Sequence, residues 1–286
     1  MTATPAAQRV RRLRAADVAD LVARLEAGFG ATPSLEAMLS NQFLLDALDR
    51  GQHPHFVVWP GEEPTAVLYA GSGGTLVPAG APAAAPALAL ASERISWRVL
   101  VGDAAIAEPL LERAARGLFR RRVSAREQRF MIAGEPAFAV DAPSGLRPAR
   151  SCDLDRLTAF ACNLHVEDRM GPPIARSGRA AIRSRMAASV ERGAAWVVER
   201  RGQVVAKIDL SLHSPTRGAQ IAGVYVDAEW RGAGIATGAV GAITALLLDR
   251  GLPGVTLHVR ADNGPGVAAY GRAGFTDHGA WTLALR

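Results

Sequence analysis

A glycine-rich stretch around residue 232 has the composition best suited to holding a ligand. It reads Val224-Tyr225-Val226-Asp-Ala-Glu-Trp-Arg231-Gly232-Ala233-Gly234-Ile235-Ala236-Thr237, which predicts a strand, a short loop and a long helix. Glycines let the backbone approach a ligand closely, and a helix N-terminus presents unpaired N–H groups at the positive end of the helix dipole. We therefore expect this loop to form a cradle for a pyrophosphate.

Two common nucleotide-binding loops do not fit this stretch. It contains neither Gly-x-Gly-x-x-Gly nor a terminal Gly-Lys-Ser/Thr, which dinucleotide-binding and P-loop proteins would require. A second element follows after the next predicted strand, where Asn263 is followed by Tyr270 seven residues later and then by Gly274-Phe275. The short helix between Asn263 and Tyr270 would bring the tyrosine beside a ligand held by the loop.

These two elements, in this order, resemble the GNAT superfamily of acetyl-CoA-dependent N-acetyltransferases. Arg231-x-x-Gly234-x-Ala236 is similar to the Arg/Gln-x-x-Gly-x-Gly/Ala loop of that family. Asn263 with Tyr270 and Gly274-Phe275 is similar to its downstream motif. The resemblance is specific over about residues 220–275, and the predicted element order extends it to residues 147–286.

The resemblance implies a role for each matching position. The strand backbone would pair with the pantetheine amides, and the loop N–H groups would hold the pyrophosphate. Asn263 would contact the pantetheine arm, and Tyr270 would protonate the departing thiolate. Ala228 departs from the family, which usually has proline there, and we expect this to affect loop stiffness more than binding. The implied backbone positions are Val224, Tyr225 and Val226 in the strand, and Gly232, Ala233, Gly234, Ile235, Ala236 and Thr237 in the loop.

The general base is a separate question, because the acceptor amine must lose a proton during transfer. Many family members use a glutamate on the strand before the loop, but this chain has Gln220 at that position, and an amide cannot act as a base. The branch that acetylates ribosomal-protein N-termini uses a glutamate five residues before the asparagine. His258 stands there in this chain, and because histidine titrates near neutrality we predict His258 as the base.

The acceptor pocket is predicted from the same resemblance. In the family, the region at the end of the first helix lines this pocket. The residues of this chain in that region are His165, Glu167 and Asp168. A solvent-exposed helix end is the alternative interpretation of this charged group, and Lys207, the only lysine in the chain, is interpreted as structural or surface-exposed.

The periodicity of apolar residues gives a similar element order in both halves of the chain. Each half is predicted to contain a strand, two helices, three strands, a helix, a strand, a helix and a strand. We interpret this as an α+β fold with a mixed sheet, present as tandem GNAT-like domains. The predicted limits are a first domain at residues 1–135, a linker at 136–146 rich in Pro, Ala and Gly, and an acetyl-CoA-binding domain at 147–286.

The first half lacks the residues of the cradle. Gly71–Gly74 contributes glycines, but neither the Arg-x-x-Gly-x-Gly/Ala pattern nor Asn followed seven residues later by Tyr is present there. The first domain is therefore predicted to be a degenerate copy of the fold. As a whole, the chain resembles bacterial two-domain acetyltransferases whose N-terminal half is a GNAT-like domain of unknown function. Asn41-Gln-Phe43, Gly74-Thr-Leu-Val-Pro78 and Val101-Gly102 carry this resemblance.

Composition and charge indicate which classes of ligand and partner the protein can bind. The formal net charge of +6 falls entirely in residues 146–286, which favours an anionic ligand there. The sequence shows no nucleic-acid-binding motif, no secretory signal and no apolar run long enough to span a membrane. We expect a cytoplasmic bacterial protein that needs no metal and binds neither nucleic acid nor membrane.

The sequence thus predicts an acetyl-CoA-dependent N-acetyltransferase that moves an acetyl group directly onto an amine. The acceptor is a protein or peptide amine, which the His258 analogy favours, or a small-molecule amine. The alternative is a non-catalytic acyl-CoA sensor, which Gln220 favours because it replaces the common glutamate.

Overall fold

The computed structural model describes residues 10–60, 63–115, 123–135 and 141–286. They form two compact units. The first unit comprises the described residues up to Phe130 together with His278–Arg286, and the second comprises Met131–Asp277. Residues 136–140 of the predicted linker lie outside the described residues, and the predicted domain limits stay a prediction.

The first unit is a mixed sheet with helices on both faces. Its strands pair in the order β1-β2-β3-β4-β5-β12, with β4 and β5 parallel and their neighbours antiparallel. Its elements are β1 (Arg11–Arg12), α1 (Val18–Glu26), α2 (Leu35–Ser40), α3 (Gln42–Asp49), β2 (Phe56–Trp59), β3 (Ala66–Ala70), β4 (Thr75–Gly80), α4 (Ala85–Ser92), β5 (Val99–Asp103), α5 (Ala104–Ala114), β6 (Ser124–Ala133) and the end of β12.

The second unit is also built on a mixed sheet, and it contains the predicted cradle. Its strands pair in the order β11-β10-β9-β8-β7, and only β10 with β11 is parallel among these pairs. Its elements are β7 (Leu146–Pro148), α6 (Leu154–Glu167), α7 (Arg179–Glu191), β8 (Ala195–Arg200), β9 (Gln203–Ser214), β10 (Gly218–Val226), α8 (Ile235–Asp249), β11 (Val255–Arg260), α9 (Gly264–Arg272) and β12 (Thr276–Leu285).

Local sequence signals account for most of these elements. The Ser34 side chain accepts a hydrogen bond from the Ala37 N–H and so caps α2. The helices α2 and α3 meet at Asn41, whose side-chain amide donates to the Leu25 carbonyl. That contact comes from a distant part of the chain, so the local pattern gave no sign of the break.

The long strands β6 and β12 are each divided between the two units. The Met131–Ala133 end of β6 belongs to the second unit, and β12 beyond Asp277 belongs to the first. There, Trp281–Leu285 pairs antiparallel with Asp103–Val99, and Ala284 is fully buried in the core beside Leu100 and Leu110. The C-terminal residues therefore complete the N-terminal unit.

A charged residue at position 284 tests this arrangement. We expect Ala284→Asp to lower the free energy of unfolding by about 3–5 kcal/mol, because an unpaired carboxylate would be buried in the core of the first unit. The matched control is Ala280→Asp, the same change at an exposed position of the same strand. Urea denaturation measures both, and equal effects of the two substitutions would contradict the observed burial.

Candidate active site

The parallel strands β10 and β11 separate in front of the glycine-rich loop. Their register runs from Ala219 opposite Val255 to Ile221 opposite Leu257. Beyond these pairs β10 continues to Val226 and β11 to Arg260. The two strands therefore do not pair with each other beyond Ile221 and Leu257, and the gap between them lies in front of the loop.

A β-bulge at Gly223 directs β10 into this gap. Ala222 opposes Asp209 and Tyr225 opposes Lys207, so Gly223 and Val224 together face a single residue of β9. Gly223 has a φ of +59°, in the left-handed region that favours glycine. The bulge changes the direction of the strand just before Val224, Tyr225 and Val226.

The loop before α8 has the backbone expected of an anion cradle. Gly232 and Gly234 have φ values of +79° and +72°, and Gly234 is the residue that precedes the helix. A Cβ built on either glycine would meet no atom within 4 Å, so the space in front of the loop is open. The N–H groups of Ile235, Ala236 and Thr237 lie in the first turn of α8, ahead of its repeating backbone hydrogen bonds.

The Arg231 side chain stabilises the loop from the side. Its Nε donates to the Val226 carbonyl at 2.9 Å, and its terminal nitrogen bonds to both carboxylate oxygens of Glu167 at 2.9 Å. The guanidinium also lies 5.3 Å from the centre of the Tyr225 ring. Arg231 therefore links the end of β10 to the end of α6. The cofactor-binding motif that contains Arg231 did not predict this role.

Ala228 also has a structural role that proline could not have. The Asp227 side chain accepts a hydrogen bond from the Ala228 N–H at 2.9 Å and so caps the short turn at Ala228–Trp230. Proline has no N–H to donate. The departure from the family pattern is thus offset by a capping hydrogen bond in the same turn.

The three predicted acceptor-pocket residues have different surroundings. Glu167 is paired with Arg231, while the His165 ring lies 3.1 Å from the Pro172 carbonyl and stabilises the turn after α6. Asp168 is close enough to Tyr270 for its charge to affect that phenol. The structure therefore brings Glu167 and Asp168 to the loop and to α9, while His165 contacts the turn at Pro172.

Tyr270 lies in α9 and packs against the core of the second unit. Burial raises the pKa of Tyr270 above its usual range, and the negative charge of Asp168 raises it further. The phenol therefore keeps its proton throughout the neutral pH range. A protonated phenol can donate to a departing thiolate, so the observed environment is compatible with the predicted acid.

His258 is the first residue of β11 beyond the paired register, so it lies where the two strands separate. Its Nδ1 is buried, and burial lowers the pKa of His258 to about 4, because desolvation disfavours the charged imidazolium. The expectation that this histidine titrates near neutrality is therefore wrong. Its position at the gap fits the predicted base, and that role stays a prediction.

Asn263 stabilises the helix that carries Tyr270. Its side-chain oxygen accepts a hydrogen bond from the Gly266 N–H at 3.1 Å and caps α9. A Cβ on Gly266 would lie 2.6 Å from the Asn263 amide nitrogen, so the cap also requires glycine at position 266. The predicted contact of Asn263 with pantetheine stays a prediction beside this capping role.

The sequence analysis missed the residues on β9 that support the bulge. Lys207 is 1% exposed, forms an ion pair with Asp209 and donates to the Gly223 carbonyl at 2.8 Å. The signal was present, because Lys207 and Asp209 are the charged residues of a strand that is otherwise mostly apolar. Gln220 accepts a hydrogen bond from the Ser211 hydroxyl at 2.8 Å, which is a structural contact on the same strand pair.

Comparison with known proteins agrees with this geometry. Residues 162–275 match the Acetyltransferase (GNAT) family, and this range includes the gap, the loop and α9. Residues 162–275, less than half of the chain, are therefore similar to a GNAT acetyltransferase domain.

A more specific relative is the mycothiol acetyltransferase of Streptomyces bingchenggensis (strain BCW-1), which is 36% identical over 83 residues. That match spans 29% of this chain and 27% of the relative.

Similar solved structures cover nearly the whole chain. A GCN5-related N-acetyltransferase from Sphaerobacter thermophilus has a TM-score of 0.60 at 19% identity, covering 99% of this chain and 96% of that protein. A GNAT-family acetyltransferase from Colwellia psychrerythraea has a TM-score of 0.59 at 12% identity, covering 97% and 98%. At these identities the likeness is one of fold, and it shows a mixed α/β GNAT-like architecture.

Among the described helices, none is both long and apolar enough to cross a membrane.

His258 is half-buried with its Nδ1 enclosed, and the resulting desolvation of the imidazole predicts how stability depends on pH. Its pKa is about 4 in the folded protein and about 6.5 when unfolded. Above pH 6.5 both states are neutral and the residue contributes no pH dependence. Between pH 6.5 and 4 only the unfolded state gains a proton, so stability falls by up to about 3 kcal/mol.

We expect His258→Gln to remove the part of the fall in stability between pH 6.5 and pH 4 that His258 causes. Urea denaturation at pH 7 and pH 4.5 measures it for the wild type and the variant. His213→Gln, at an exposed histidine of β9, is the control. If His258→Gln and the wild type lose equal stability over this range, the imidazole is not held neutral by burial.

Proposed function

We propose that this chain binds acetyl-CoA in its second unit and transfers the acetyl group directly to an amine. The observation that carries the proposal is the gap between β10 and β11, which opens in front of a glycine-rich helix N-terminus. An extended amide-bearing arm fits the exposed strand edge, and a pyrophosphate fits the loop. Acetyl-CoA has both groups in one molecule, and the GNAT family match supports this choice.

The proposed reaction needs a nucleophile, a polarised carbonyl and a proton donor for sulfur. The acceptor amine attacks the thioester carbonyl, whose oxygen accepts a hydrogen bond from the Val226 N–H. The carbon–sulfur bond then breaks, Tyr270 supplies a proton to the thiolate, and the products are an amide and free CoA. The strand and loop hold the thioester in place, and positioning is expected to be the largest contribution to the rate.

The amine proton leaves to His258 or to a water. His258 is neutral at pH 7, and a neutral imidazole can accept a proton, although its pKa of about 4 makes it a weak base. It receives the proton more readily once the amine has begun to bond to the carbonyl carbon, because the nitrogen is then more acidic.

The acceptor is the part of the proposal that the site defines least. The analogy that selected His258 favours a protein or peptide amine. The relative named for mycothiol favours a small-molecule acceptor. An amine panel must therefore contain peptides with free N-termini, lysine peptides and small amines.

Acetyl-CoA binding is the first test, by calorimetry. We expect one site per chain, and we expect Gly234→Glu to weaken binding at least about a hundredfold, because its carboxylate would repel the pyrophosphate. The matched control is Gly251→Glu at the other end of α8, where the glycine also has a positive φ and open space around it. Equal loss in both variants would show a folding defect, and no wild-type binding would contradict the proposal.

Transfer is tested by the release of free thiol with the amine panel. We expect Tyr270→Phe to lower the rate about a hundredfold while acetyl-CoA affinity is retained, because the phenol acts on the leaving group. Tyr69→Phe, which removes a phenol that donates to Gln52 in the first unit, is the control. Binding without thiol release for any amine would contradict transfer and would indicate a sensor of acyl-CoA.

A further inference from the structure

The buried ion pair beside the bulge is unusual for its position. Lys207 is the only lysine in the chain, and its side chain is 1% exposed within β9. Burying an ion pair costs desolvation that the mutual attraction offsets only partly, and apolar residues of similar size often stabilise a core as well or better. A charged pair at such a position therefore suggests a role other than stability.

The contacts of this pair all converge on the bulge. The Lys207 ammonium bonds to Asp209 and also donates to the Gly223 carbonyl at 2.8 Å. Tyr225, which opposes Lys207, marks the point where regular pairing of β9 and β10 resumes. The pair thus holds the one carbonyl whose orientation sets the path of the bulge.

A side chain at position 223 would displace the ion pair. A Cβ at this position would lie 2.6 Å from the Asp209 Oδ2 and 2.9 Å from the Lys207 Nζ. The second oxygen of Asp209, Oδ1, is buried and has no hydrogen-bond partner among the described residues. Among the described residues, the Asp209 carboxylate is thus held by the Lys207 ammonium. The same ammonium holds the Gly223 carbonyl.

We propose that Lys207 and Asp209 are positioning residues for the acyl group of the bound thioester. By fixing the Gly223 carbonyl, they fix the turn of β10 into the gap and aim the N–H groups of Val224–Val226 at the acyl carbonyl. This inference rests on the proposed function. It adds that recognition of the acyl group depends on β9, whereas recognition of the pyrophosphate depends on the loop before α8.

If β9 serves the acyl group and the loop before α8 serves the pyrophosphate, changes on β9 should affect CoA and acetyl-CoA differently. CoA and acetyl-CoA share the pyrophosphate and pantetheine, but only acetyl-CoA has the carbonyl. A change at Lys207 and Asp209 should therefore weaken acetyl-CoA binding and leave CoA binding close to that of the wild type. A purely structural ion pair would affect both ligands equally.

The single lysine allows a direct test on the unaltered protein. Selective ¹⁵N-lysine labelling gives one backbone amide signal, that of Lys207, which is followed by NMR while CoA or acetyl-CoA is added. We expect a larger shift with acetyl-CoA than with CoA at saturation. Equal shifts, or no shift with ligands that calorimetry shows to be bound, would overturn the inference and leave the proposed function intact.

Variants provide a second, independent test. Lys207→Met/Asp209→Asn removes both charges at nearly constant size, and we expect it to lower the ratio of acetyl-CoA to CoA affinity about tenfold, the loss of one hydrogen bond. The control is Arg147→Met/Asp153→Asn, which removes another partly buried ion pair in the same unit. An unchanged ratio in a folded Lys207→Met/Asp209→Asn protein would overturn the inference. If the wild type binds neither CoA nor acetyl-CoA, the proposed function is overturned, and this inference with it.

Discussion

The separation of β10 from β11 after Ile221 and Leu257 is the feature on which the rest of the site depends. A buried backbone N–H or carbonyl without a partner is costly, so two strands that separate in a protein interior need another group to pair with. The Gly223 bulge starts the separation on one strand, and the glycine-rich loop follows at its open end. The gap and the loop together define a ligand that is extended at one end and anionic at the other.

An ion pair and a hydrogen bond, both to Glu167, hold the elements around this gap together. Arg231 links the end of β10 to Glu167 at the end of α6, and Arg260 at the end of β11 donates to the Glu167 carbonyl. Both strands that border the gap are thereby connected to one helix end. Single exposed ion pairs contribute little to stability, but here a shared partner constrains the width of the opening.

Much of this site could be predicted from the sequence because its signals are local. The positive φ of Gly234, the helix that follows it and the bulge at Gly223 all depend on the special backbone freedom of glycine. By contrast, the contact of Lys207 with the Gly223 carbonyl and the pairing of Arg231 with Glu167 join residues that are far apart in the sequence, so spacing did not indicate them.

The sequence by itself determined the element order, the loop that suits an anion and the residues that could do acid–base chemistry. The tertiary structure decided how far those residues are buried and which charged groups lie beside them. It enclosed the Nδ1 side of the His258 ring, and this desolvation lowers the pKa of His258 to about 4. It also brought Asp168 to Tyr270. It also placed the C-terminal strand in the first unit. The physical reason is that desolvation, Coulomb interactions and strand pairing depend on distances in space, whereas helix caps, turns and periodicity depend on neighbours along the chain.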